Sequence, residues 1–124
     1  MEEHLLEIKG MLQAEFPDGH PDFVPLTLEE MDLHSRKNRD YAGGGDPLGN
    51  FRRVSAILMQ YPGLELTPDV VALVYALKQV DAILWMKCQN REGEVEGIED
   101  RAQDVHVYLK LFRILFRHGG KDGR

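Results

Sequence analysis

Little in the sequence gives this protein's role away. It has one cysteine, Cys88, in 124 residues. One thiol excludes an internal disulfide and a thiolate zinc cluster, and it suits a reducing cytoplasm. No apolar run reaches the roughly 20 residues of a membrane-spanning helix, and acidic residues follow Met1 where a secretory leader would be basic and then apolar. No leader and no membrane partner are expected. Positive charge is scarce: 15 Lys and Arg stand against 21 Asp and Glu, a net charge of −6. That balance excludes a protein that grips the nucleic-acid backbone through a broad basic face, but not one that holds a nucleotide through a metal. The remaining composition, 43% hydrophobic and 29% charged, is that of an ordinary globular domain with a real core.

Apolar residues recur at helical spacing almost throughout. Residues 2–16 form a first helix on Leu5, Leu6, Ile8, Met11, Leu12 and Phe16. Residues 17–25 are a turn-rich connector, with His20 and Asp22 in solvent. Thr27 opens a second helix to Tyr41, with Glu30 completing a capping box and Leu26 and Met31 a hydrophobic staple. Three glycines at 43–45 end it. Asp46 caps a third helix with Pro47 in its first turn, and Tyr61-Pro62-Gly63 breaks it. Thr67-Pro68 opens a fourth helix to about residue 90, and a short turn leads to a fifth over 94–116. The expected fold is an all-α bundle of four or five helices in one domain, 1–124. It comprises an N-terminal helix and connector (1–25), a core bundle (26–117) and a flexible tail (118–124).

The fifth helix carries the most chemistry. At 100° per residue, Ile98, Ala102, Val105, Leu109, Phe112 and Phe116 share one face, the expected core stripe. Glu99, Gln103, His106, Lys110, Arg113 and Arg117 share a solvated face. A third line runs from Glu96, Asp100 and Asp104 into Val107, Leu111, Ile114 and Leu115, so its acidic end points inward. Inward carboxylates one turn apart repel and are costly to desolvate unless neutralised. A cation with oxygen ligands, Mg²⁺ or Mn²⁺ before zinc, is one solution. The other is a plain helix start, where negative charge suits the helix dipole. On the fourth helix Val70, Leu73, Val74, Leu77, Val80, Leu84 and Trp85 make a broad apolar face, with Cys88 as a core residue. Asp81 lies inside that face, so it is expected to be buried, either paired with Lys78 or facing the same cavity as Asp100 and Asp104.

Four segments in order, Lys37-Asn38-Arg39-Asp40-Tyr41, Asp46-Pro47-Leu48-Gly49-Asn50-Phe51, Lys78-Gln79-Val80-Asp81 and Glu96-Gly97-Ile98-Glu99-Asp100 with Asp104 and Tyr108, resemble small phage proteins of the nucleotide-modification-associated type. The resemblance covers most of the chain, about 37–108. More distantly the pattern is similar to the MazG-like all-α nucleotide pyrophosphatases, which bind Mg²⁺ and split nucleoside triphosphates to the monophosphate and pyrophosphate. The chain departs from these patterns at Ala42, where glycine is usual, and at Lys78 and Asp81, which stand where an E-x-x-E pair would be. The resemblance implies a MazG-like bundle that pairs as a homodimer, in the host cytoplasm if phage-encoded. Carried over by position, it points to Lys37, Asp40, Asn50, Glu99, Asp100 and Asp104.

Three functions follow as expectations. The first is a Mg²⁺-dependent nucleotide pyrophosphohydrolase. Glu96, Glu99, Asp100, Asp104 and Asp81 would supply the metal ligands, Lys37, Asp40 and Lys78 the catalytic groups, and Tyr41, Asn50 and Arg52 the nucleotide contacts. The second is a non-catalytic binder of a nucleotide or modified base, acting in phage DNA modification or anti-defence. The third is a helical interaction protein. In the first two, residues 37–51 would close over the ligand as a lid.

Overall fold

The computed structural model describes residues 2–42, 46–93 and 96–118, with backbone alone at residues 2 and 40–42. Among these residues there are five helices and no strand: α1 (Glu2–Glu15), α2 (Phe23–Ala42), α3 (Gly49–Leu58), α4 (Pro68–Gln89) and α5 (Ile98–Arg117). The chain divides into two compact units, Met1–Asp40 and Tyr41–Arg124, with the boundary inside α2.

In the first unit α2 starts four residues before Thr27. Thr27 is no cap: its hydroxyl donates back to the Phe23 carbonyl at 2.9 Å, as mid-helix threonines do. Pro25 is tolerated because the first turn of a helix has no internal use for its N–H groups. The 16–24 turn holds a cleft of about 270 Å³ lined by Phe16, His20, Phe23 and Val24 among others. His20 and Asp22 are exposed there, and the His20 ring accepts from the Asp22 backbone N–H at 3.0 Å.

The second unit is a helical hairpin with a short helix against it. Tyr75 meets Tyr108 at 5.6 Å between rings and Gln79 meets Asp104 at 3.0 Å, so α4 and α5 run antiparallel. The connection is tight. Asn90 ends α4 in the left-handed conformation, φ 54°, and a Cβ on Gly93 would collide with the Glu96 carbonyl oxygen. α4 itself opens as expected, with Thr67 in extended backbone and Pro68 at its first position.

α3 begins three residues later than its Asp46-Pro47 signal. The Asp46 carboxylate caps a preliminary turn, accepting from the Leu48 N–H at 3.0 Å, and the helix proper follows. Its buried face carries Phe51 and Ser55. Phe51 lies 5.4 Å from the Tyr75 ring and 6.3 Å from Tyr108, and Ser55 donates to the Leu66 carbonyl at 2.5 Å. The core is Leu48, Phe51, Val71, Ala72, Leu111 and Leu115.

The orientation of both long helices corrects the expectation. On α5 the inward line is the third one, through Asp104, Leu111 and Leu115, while Leu109 and Phe116 of the expected core stripe are exposed. On α4 the inward face is Val71, Ala72, Ala76, Gln79 and Met86. The broad apolar face instead points outward, so Leu73, Val74, Leu77, Leu84, Trp85 and Cys88 are exposed. Asp81 goes with it: it is exposed, not buried. Small residues on the inner face explain the choice, since Ala72 and Ala76 let α5 and α3 approach closely where leucines would hold them off.

Candidate functional site at the α4–α5 interface

The one acidic group of the α5 line that becomes buried is Asp104, 7% exposed. It sits one turn beyond the aromatic cluster, and Gln79 on α4, 9% exposed, faces it. Gln79 Nε2 donates to Asp104 Oδ2 at 3.0 Å, and Gln79 Oε1 accepts from Arg101 Nη1 at 2.7 Å. The two partners fix the amide orientation, because the reverse would set its NH₂ against a guanidinium and its oxygen against a carboxylate. Arg101 Nη1 lies 3.8 Å from Glu96 Oε2, and Arg101 Nε is buried with no hydrogen-bond partner among the described residues. A polar chain Glu96–Arg101–Gln79–Asp104 therefore runs from the start of α5 into the hairpin.

The other predicted acids are placed differently. Asp100 is exposed and turns back to the helix start, where Oδ2 accepts from the Gly97 N–H at 3.3 Å. This is the helix-start role that the charge pattern also allowed. Glu99 is exposed on α5. Asp81 lies on the opposite side of α4 from Gln79, so it does not share a cavity with Asp104. Lys78 is exposed beside it, and the expected ion pair between the two is not formed among the described residues. No three His, Cys, Asp or Glu groups among the described residues come together as a ready metal site.

The candidate catalytic residue Lys37 is half-buried in the first unit, and the candidate nucleotide contact Asn50 is half-buried at the start of α3. Arg52 is ion-paired with Asp46, and its Nε is buried without a hydrogen-bond partner among the described residues. The Leu48 backbone N–H and then the arginines Arg52 and Arg53 hold the Asp46 carboxyl below the usual carboxylate range. The side chains of Asp40 and Tyr41, the glycines at 43–45 and the tail from 119 fall outside the described residues, and with them the tip of the expected lid.

Two members of the network, Gln79 and Arg101, were not singled out from sequence. Gln79 had a signal, since it is the polar residue on the inner face between Tyr75 and Met86. Arg101 had none, as it reads like any charged residue in a first turn. Comparison with known proteins returned no matching family model, no matching curated protein and no matching solved structure.

Proposed function

We propose that this protein binds a nucleotide as its Mg²⁺ or Mn²⁺ complex at the acidic start of α5, within a MazG-like homodimer of phage nucleotide metabolism. The observation that carries the reading is the buried Asp104 tied to Gln79 and Arg101. A charged network set into an otherwise apolar helix interface is expensive to keep for packing alone, and functional sites are where such groups concentrate. The scattered acids fit this reading, because Mg²⁺ is usually held by one or two carboxylates together with the ligand's own phosphates. Asp104, Asp100 and Glu96 are the candidates, and Arg101 would face the phosphate charge. Asp81 and Lys78 drop out, being on the other side of α4. When bound, the cation would neutralise phosphate charge and lower the pKa of a bound water.

Hydrolysis of a nucleoside triphosphate to the monophosphate and pyrophosphate is the stronger form of this proposal. Binding without turnover is the form favoured by one observation: each candidate acid already has a partner within the chain, Gly97 N–H for Asp100, Arg101 for Glu96 and Gln79 for Asp104.

A thermal-shift series of ribo- and deoxynucleotides, with and without Mg²⁺, tests the proposal. A nucleotide at 100 times its Kd should stabilise the fold by about 2.7 kcal/mol, only with the cation present, and Asp104→Asn should abolish the effect while keeping an acceptor for Gln79. Absence of any shift with millimolar nucleotide and Mg²⁺ would sink it. Pyrophosphate release then separates turnover from binding.

A further inference from the structure

We propose that the outward face of α4 is a two-fold interface with a second copy of this chain, the helices crossing antiparallel near residue 79. This places the pairing surface, and it does not depend on nucleotide binding. α4 is apolar on nearly its whole circumference, and a helix of that kind is normally covered all round. Within the second unit its inner side packs on α3 and α5. On the other, Leu77 is 65% exposed, Leu84 63% and Trp85 57%, with Leu73, Val74 and Cys88 also in solvent. These side chains expose on the order of 500 Å² of apolar surface on one helix face, as much as a monomer's largest patch usually offers and a large share of the ~800 Å² that each partner of a standard interface contributes.

Charge selects the occupant. Within or beside this stripe lie two charges, Lys78 and Asp81, one helical turn apart, both exposed and neither ion-paired among the described residues. In an antiparallel crossing at residue 79, Lys78 lies within one residue of the level of the partner's Asp81, about 1.5 Å along the axis and within reach of its long side chain, and Asp81 likewise of the partner's Lys78. The same register sets Val74 against the partner's Leu84 and Val70 against the partner's Cys88. A closed two-fold contact requires such self-complementarity. It also removes the problem of a lone carboxylate inside an apolar stripe, because both charges become paired when the face is covered.

Sedimentation equilibrium at micromolar concentration, with far-UV circular dichroism as the check on folding, tests the interface. The wild type should be a dimer. Leu77→Glu should dissociate it with helicity retained, since the side chain is not needed in the core. Asp81→Lys should weaken the dimer at least about tenfold, and the charge swap Lys78→Asp with Asp81→Lys should restore it. Val70→Cys with native Cys88 should give a covalent dimer on oxidation, because the register sets the two positions opposite each other across the interface. Neither the wild type nor Val70→Cys with Cys88→Ser should do so. A wild-type monomer, or a dimer that Leu77→Glu leaves intact, would overturn the proposal.

Discussion

Replacing Gln79 by leucine tests the hairpin's polar network directly. Leucine fills nearly the same volume but gives Asp104 no donor and Arg101 no acceptor. A hydrogen bond to a charged group contributes about 1.5–3 kcal/mol, and its loss leaves a buried carboxylate short of one partner. The Arg101 side of the loss is smaller. That side chain is 22% exposed and 3.8 Å from Glu96, so it can turn to water and to the glutamate. The leucine regains about 1 kcal/mol through apolar burial. The net expectation is a loss of about 2 kcal/mol, or roughly 8 °C in Tm for a chain of this size. Urea unfolding followed by far-UV circular dichroism, with m unchanged, would measure it. The double variant Gln79→Leu, Asp104→Leu should be less destabilised than the sum of the two single changes, because removing both partners of the Gln79–Asp104 bond leaves neither end of it unpaired, while the Arg101 loss is counted once. A Gln79→Leu variant within about 0.5 kcal/mol of wild type, or strict additivity in the cycle, would show that the pair is not coupled and would remove the main support for a site here.

Three further outcomes follow from the second unit. Phe51→Ala should cost about 3–5 kcal/mol in thermal or urea unfolding, because it empties the centre of the Phe51–Tyr75–Tyr108 cluster. Asp46→Asn keeps an acceptor for the Leu48 N–H and removes only charge. The folded carboxyl titrates below its unfolded value, so its contribution is present at neutral pH and lost as pH falls through the depressed folded value. The variant should therefore be less stable at neutral pH by no more than about 1 kcal/mol, with the difference closing towards the acid end of a stability–pH series. Asn90→Ala should lose about 1 kcal/mol because the position is left-handed, φ 54°, while Asn90→Gly should be neutral or slightly stabilising.

The helices were legible in the sequence because their signals are local. Thr67-Pro68 marks the start of α4 correctly, and the spacing of Asp104, Leu111 and Leu115 marks an inward line on α5. The misplaced starts have local causes too. Thr27 looks like a cap but sits a turn inside α2, and the Asp46 cap belongs to a turn ahead of α3. What local signals do not contain is the rotation of one helix against another. Both α4 and α5 carry two apolar faces, and periodicity gives the angle between faces but not which of them meets the neighbour. On α4 the larger side chains, Leu73, Leu77, Leu84 and Trp85, suggested the core, yet the smaller face of Ala72, Ala76 and Gln79 is the one that packs.

The same reasoning separates the two polar positions on α4. Asp81 and Gln79 are two residues apart, hence on nearly opposite sides of the helix. One polar residue in an apolar face is a problem wherever that face is covered, and each side of α4 has one. Gln79 shows how the inner side solves it, by meeting a carboxylate and a guanidinium brought by α5. Asp81 has Lys78 one turn away and no ion pair among the described residues. If the outer face were a permanent solvent surface, nothing would favour leucine at 73, 77 and 84 over a charged residue, and Asp81 would be the ordinary residue there. The inference runs the other way because the leucines are the rule and Asp81 the exception. An apolar stripe interrupted by one acid and one base, a turn apart, is the pattern of a surface that is sometimes covered by its own copy.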